Sequence, residues 1–346
     1  MNRIYSKGTV LLGCLAGLGM LVLLPATSHA QDCDRACLKT MLDRYLTAVT
    51  THDPSAAPLA VGFRQTENAV VTKLGTGAWT SVTGLGSLQR RYLDPVSGQA
   101  AYFGVVNEGN GSAIVTVRVK VERRQIAEAE WYMARQGDPG LNGPQVPGQP
   151  AGNFFDPDNL TKNPPPDRTL PKNERLSREA LIGITNSYFD GITTHDGSII
   201  MAHQGCARTE NGLTVTGRAT GPGARGGTTA AAGREGGAAP AGRGGVSDCT
   251  SGLETINIQL VSARRYPVVD EDAGVVLALA VFIRKPGTTT RRNVFSEWFV
   301  IDNQKIKSIY SAMFYPAPEV PVPNWPPYDG NWPLSPTLAP PPPPRQ

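Results

Sequence analysis

Two stretches of the chain carry the same chemistry-bearing triplet. Thr66-Glu67-Asn68 and Thr209-Glu210-Asn211 stand 143 residues apart. A carboxylate facing an apolar pocket is raised in pKa by desolvation and becomes suited to general acid or base work. Asparagine orients a substrate but takes no proton from it. Side chains alternate along a strand, so the Glu and Asn of a regular strand face opposite ways unless a bulge intervenes. The competing role for each Glu is an ion pair, with Arg90 or Arg264, that holds helix to sheet. Glu297 is a third candidate, because Phe295, Glu297, Phe299 and Ile301 alternate along one strand face. The opposite face (Val294, Ser296, Trp298, Val300) is also apolar, so periodicity leaves open which face is inside. Arg118, among Ile114, Thr116 and Lys120, has the same standing, and an exposed sheet position is the alternative for both. The acid–base candidates are therefore Glu210, Glu297 and Glu67. Asn211, Arg208 (beside the second triplet), Tyr266 and Asn68 are the ligand-binding candidates.

Other chemistry-bearing residues point to structure. His52-Asp53 and His195-Asp196 stand where one helix ends and the next begins. Histidine is favourable at a helix C-terminus and aspartate is a natural N-cap, so capping outweighs a catalytic dyad. The string Gly221 to Gly226 fits G-x-G-x-x-G, but no strand precedes it and no helix follows, so phosphate has no scaffold there. Asp270-Glu271-Asp272 reads as a hairpin turn rather than a cation site. No cofactor or metal site is expected. Past the first thirty residues the cysteines are Cys33, Cys37, Cys206 and Cys249. An even number in an exported chain suggests two disulfides, Cys206 with Cys249 foremost. Cys33 and Cys37, one helical turn apart, sit near the upper limit of disulfide geometry. Metal binding is the rival role, and it lacks a paired C-x-x-C.

The elements that must position these residues are written twice. YLTAVTTHD (Tyr45 to Asp53) recurs as YFDGITTHD (Tyr188 to Asp196), again 143 residues on. Arg90-Arg91-Tyr92 recurs as Arg264-Arg265-Tyr266 at an offset of 174, so the second copy holds 31 extra residues between these landmarks. The glycine-rich run at about 217–246 accounts for them and is expected to be a mobile loop anchored by the Cys206–Cys249 bridge. Helical spacing predicts helices over Cys37–Val49 and Ser177–Ile192. A strand, a polar turn and a second strand follow late in each copy, in VRVKVERRQI and EWFVIDNQKI. The layout is α+β: two domains, each with N-terminal helices followed by a run of antiparallel strands. The expected division is 31–135 for the first domain, 136–172 for a Pro/Gly-rich extended linker, 173–315 for the second domain and 316–346 for a Pro-rich tail. Phe154-Phe155 in the linker, and Trp325 and Trp332 in the tail, are expected to pack back onto the body.

Residues 1–30 read as a signal peptide: Arg3 and Lys7, an apolar run from Thr9 to Leu24, then Ser28-His29-Ala30 before the cut. The expected location is secreted or periplasmic, with no membrane association after cleavage. Without Arg3 and Lys7 the formal charge of +4 falls to +2, which gives no reason to expect a nucleic-acid partner.

The helix ending in a small-residue-plus-Asp step, the Thr-Glu-Asn strand and the sheet finished by two hairpins resemble the nuclear transport factor 2-like (SnoaL-like) superfamily. Thr-Glu-Asn, followed by Arg-Tyr, a nearby Asp and Gly-Gln, more closely resembles a domain of unknown function found in secreted fungal and bacterial proteins, often in tandem. The resemblance implies two cone-shaped domains, each a curved antiparallel sheet wrapped around N-terminal helices, with a mainly apolar pocket at the open end. It places the isomerase-type base position on Asn68 and Asn211, with Glu67 and Glu210 one residue earlier. Members include isomerases, dehydratases, cyclases, hydrolases and non-catalytic binders, so fold does not settle function. Two readings follow. One is a binder of a small, largely apolar molecule, with a cofactor-free lyase, isomerase or hydrolase step. The other is a non-catalytic scaffold whose two domains form an intramolecular pseudo-dimer, leaving a monomer. The second copy, with Arg208 and Glu297, is the better candidate for a working site.

Overall fold

The computed structural model describes residues 33–141, 143, 152–216, 247–287, 291 and 293–317. The expected signal peptide, the glycine-rich insertion at 217–246 with its predicted mobility, and the tail beyond 317 with Trp325 and Trp332 lie outside the described residues.

Each half begins with a capped helix. In α1 (Arg35–Thr50) the Asp34 carboxylate accepts the Cys37 N–H, and the Cys33–Cys37 disulfide closes around that cap. In α4 (Arg178–Thr194) the Ser177 hydroxyl accepts the Ala180 N–H. His52 and His195 end the helices in the left-handed region, at φ 57° and 60°. Asp53 and Asp196 then accept the Ser55 and Ser198 N–H groups and open short 3-10 turns. Both imidazoles bond to backbone carbonyls, of Trp79 and Ile258. The Thr-His-Asp steps are caps, as their residue types suggested.

The first sheet contains β1 (Leu59–Glu67), β2 (Val70–Thr72), β3 (Val82–Asp94), β4 (Gln99–Glu108), β5 (Gly111–Glu122) and β6 (Gln125–Arg135), in the order β2-β1-β6-β5-β4-β3. A one-turn helix, α2 (Ala78–Ser81), precedes β3, and another, α3 (Pro157–Lys162), lies between the halves. The second sheet repeats the first with β7 (Ala202–Glu210), β8 (Leu213–Thr214), β9 (Ile258–Asp270), β10 (Val275–Arg284), β11 (Asn293–Asp302) and β12 (Lys305–Phe314), in the order β8-β7-β12-β11-β10-β9. The two late hairpins turn at Arg123-Arg124 and Asn303-Gln304, all four residues at positive φ, which matches the right-handed twist of the flanking strands.

Three expectations change. The sheets are mixed, not antiparallel, because β1 runs parallel to β6 and β7 parallel to β12. After the first strand and its short hairpin partner, four antiparallel strands follow, and the last of them arrives beside the first pointing the same way. The arginine match also shifts by one. Arg90 pairs with Phe103 and Arg265 with Leu279, because β9 bulges between Val268 and Arg265. Arg265 is thus the structural counterpart of Arg90. The 136–172 segment is likewise more than an extended linker. It carries α3, whose Leu160 is fully buried, and Phe155 packs on the cluster between the sheets. The carbonyls of Pro164, Pro165 and Pro166 accept from Tyr310, Arg90 and Tyr92.

Three apolar clusters hold the molecule together. One lies between α1 and the first sheet and one between α4 and the second. The third joins the outer faces of the two sheets, with Tyr92, Phe103 and Ile114 against Leu277, Leu279 and Trp298. Thr116 and Ser296 are counterparts 180 residues apart, and the Ser296 hydroxyl donates to Thr116 Oγ1 at 2.8 Å. A residue that meets its own counterpart marks the local two-fold axis. Beside it lies a buried ionic cluster. Glu130 accepts from Arg118 at 2.6 Å and from Arg265 of the other sheet at 2.7 Å, while Glu128 and Gln99 complete the shell of Arg118.

A second inter-sheet contact is reciprocal. Asp94 accepts the Val269 N–H and bonds Arg178, whereas Asp270 accepts the Leu93 N–H and bonds Arg35. Both aspartates are buried. The arginines are partly exposed, so the main contribution is the charged acceptor on each buried backbone N–H. Asp94→Ala is expected to lose about 3 kcal/mol, since it strands the buried Val269 N–H and also removes the acceptor of the half-buried Ser97 N–H and the partner of Arg178. Urea unfolding checks this, and a loss under about 1 kcal/mol would show that water replaces the carboxylate.

Among the described residues no helix is long and apolar enough to cross a membrane.

Candidate functional site

The faces of β11 are resolved by packing. Val294, Ser296, Trp298 and Val300 meet the other sheet, whereas Phe295, Phe299 and Ile301 face α4. Glu297 shares the α4 side and is buried. The ladder then sets Glu297 opposite Ser311, and Ser311 opposite Glu210. Residues paired across a ladder share a face, so Glu297, Ser311 and Glu210 form one row across β11, β12 and β7. At about 4.8 Å per strand, the two carboxylate residues stand roughly 10 Å apart along the row. The adjoining row holds Phe299, Ile309 and Arg208. Arg208 Nε lies 3.0 Å from Glu210, and its Nη1 donates to the Tyr188 hydroxyl at 3.0 Å.

Tyr188 descends from α4 onto this row. Burial, reinforced by Glu297 and Glu210 and opposed by Arg208, pushes its phenol well above the ordinary value. The hydroxyl therefore stays protonated while it accepts from Arg208, and a protonated phenol is still able to donate. The constellation offers two buried carboxylates, one guanidinium and one neutral phenol against a wall of Phe189, Phe295 and Phe299. That set can hold the polar end of an apolar molecule and exchange a proton with it.

The same rows in the first half lack this chemistry. The counterpart of Glu297-Ser311-Glu210 is Val117-Trp131-Glu67. Trp131 fills the row and donates its indole N–H to Tyr45, the counterpart of Tyr188. Gln65 replaces Arg208 and accepts from the Trp79 indole at 2.7 Å. Two indoles thus stand at the places that in the second half belong to Ser311 and to the surroundings of Arg208. Glu67 turns away, accepting the Ala78 N–H at 3.0 Å and pairing with Arg135 at 3.4 Å. The expected ion pairs with Arg90 and Arg264 give way to Arg135 and Arg208. Arg264 does hold helix to sheet, through Asn186 and Asp190.

Asn68 and Asn211 occupy left-handed positions just past their strands, at φ 47° and 44°. Each clamps the neighbouring strand with both ends of its amide, Asn68 on Met133 and Asn211 on Met313. Tyr266 donates to Asn186 at 2.7 Å, and burial pushes its phenol up to about 12. The structure thus brings Glu210, Glu297 and Arg208 together, with Asn211 at the margin. Tyr266 stands apart, and Glu67 and Asn68 line a separate cleft. Both disulfides are formed, and Cys206–Cys249 tethers β7 two residues before Arg208. Among the described residues no group of three or more His, Cys, Asp or Glu is placed to hold a metal ion. Sequence reasoning missed Tyr188, Ser311 and the Trp131 contrast. The repeat itself held that signal, in the exchange of Trp131 for Ser311.

Residues 174–313, the second half, match the family described as Domain of unknown function (DUF8021). No curated protein matches the chain.

Proposed function

We propose that the second half binds a small, largely apolar molecule between α4 and its sheet, with the polar end at Arg208, Tyr188, Glu210 and Glu297. The observation that carries this is the replacement of the Val117-Trp131 pair by Glu297-Ser311 in otherwise equivalent rows. A packed core gains nothing from a buried carboxylate at such a place, whereas a site that moves protons does. In this reading each half is a cone-shaped domain of the nuclear transport factor 2-like kind. Glu297 or Glu210 serves as base and Tyr188 as donor in a cofactor-free lyase, isomerase or hydrolase step. The first half is the packing partner, and two disulfides suit an exported protein.

A non-catalytic pseudo-dimer is the second reading, favoured by the apolar cluster that joins the sheets. Native mass spectrometry of the purified chain separates the two. A small organic adduct is expected on the parent chain and absent from Ser311→Trp and Glu297→Val, the residues of the first half. With room in the interior, Ser311→Trp folds with a stability change under about 1 kcal/mol, whereas overpacking a full core costs about 1–3. A parent chain without adduct, together with a strongly destabilised Ser311→Trp, would sink the binding reading.

A further inference from the structure

A cleft of about 650 Å³ opens where the end of β1 meets the end of β12, lined among others by Glu67, Asn68, Val70, Arg135, Tyr315 and Ala317. The counterpart surface of the second half is covered by the segment around α3. There the Asp156 N–H donates to the Asn211 carbonyl at 2.9 Å. Asn159 Nδ2 donates to Gly212 and reaches Thr214 Oγ1 at 3.3 Å, and Asn153 Nδ2 donates to the Met313 carbonyl at 2.8 Å. The approach is so close that a Cβ on Gly212, at φ +87°, would stand 2.0 Å from the Asp156 carbonyl. In the first half the matching acceptors are the carbonyls of Asn68, Ala69 and Met133. Val70 and Val71 are 45% and 46% exposed, whereas their counterparts Leu213 and Thr214 are half-buried.

The covering segment is itself written twice. Gly152-Asn153-Phe154, Leu160 and Pro164-Pro165-Pro166 recur as Gly330-Asn331-Trp332, Leu338 and Pro342-Pro343-Pro344, all at an offset of 178. Ser335-Pro336 repeats the cap-and-proline step of Asp156-Pro157 one residue out of that register. Asn153 comes 18 residues after the end of β6, and Asn331 comes 17 after the end of β12. The chain leaves β12 along the wall of the cleft, at Tyr315 and Ala317. We propose that residues 330–344 dock in this cleft of the same chain, as 152–166 dock on the second half. Asn331 then donates to the Met133 carbonyl, and the Thr337 side chain lies beside Val71.

Hydrogen exchange on the full chain tests the docking. In the Asn331→Ala/Trp332→Ala chain, exchange across Val70–Thr72 is expected to speed up about tenfold, because that edge loses its cover. Val71→Cys with Thr337→Cys should join within one chain, since Asn159 and Thr214 already touch. Unchanged exchange would overturn the proposal. So would peptide mapping that finds the introduced thiols unpaired, which would leave the cleft to another partner. A bond between two chains would assign the cleft to a second copy and overturn it equally.

Discussion

Glu130→Ala is expected to destabilise the protein by about 3–5 kcal/mol, enough to consume much of the stability of an ordinary domain. Glu130 is fully buried and contacts arginines of both halves, Arg118 and Arg265. Without it, Arg118 keeps only Glu128 and Gln99, and Arg265 loses two charge-assisted bonds in a place where water cannot replace them. The loss measures the cost of stranding buried charge, not the worth of the pair. Replacing Arg118, Glu128, Glu130 and Arg265 together by apolar residues of similar size is therefore expected to recover most of the stability.

Acid should act in the same direction as the mutation. Burial alone would raise the Glu130 carboxyl, but Arg118 and Arg265 outweigh it and hold the folded value below the ordinary one. A depressed folded pKa contributes stability that is fully present above the unfolded value. That stability is lost as pH falls through the folded value. The gap between the parent chain and Glu130→Ala should then narrow below about pH 4. Urea titrations at several pH values check both statements, and a neutral-pH loss under 1 kcal/mol would show that the cluster is hydrated.

Opening the Cys206–Cys249 disulfide is the second large effect. The bridge spans a sequence separation of 43, and the chain-entropy relation assigns such a loop about 4 kcal/mol. Cys33–Cys37, with a separation of 4, is worth about 2 kcal/mol on the same scale. Paired serine variants in guanidinium titrations should therefore differ by about 2 kcal/mol. The long-loop variant should also loosen β7, because Cys206 stands two residues before Arg208, and ligand retention should fall with it. Equal losses for the two bridges would show that native strain, rather than loop closure, governs them.

The sequence alone determined what depends on short range. The helices α1 and α4, their caps, both late hairpins and the Cys33–Cys37 bridge were legible, because each rests on a period, a turn chemistry or a spacing within a few residues of itself; the duplication and the Cys206–Cys249 bridge were legible from residue identities alone, by recurrence and by an even cysteine count. The faces of β11 were not. Both are apolar, and only the meeting of the two sheets assigns Trp298 to the interface and Glu297 to the interior. Arg118 could not be told from an exposed residue for the same reason, since its partner network includes Arg265, contributed by the other sheet. The parallel pairing of β1 with β6, and the bulge that makes Arg265 the counterpart of Arg90, are properties of ladder registers that residue identity does not encode locally. The triplet that drew attention first divides accordingly. Its asparagines proved to be backbone clamps in both halves, while its glutamates took different surroundings. Whether a carboxylate meets an indole or a serine and a second carboxylate is decided by residues one and two strands away, which only the folded sheet brings into one row.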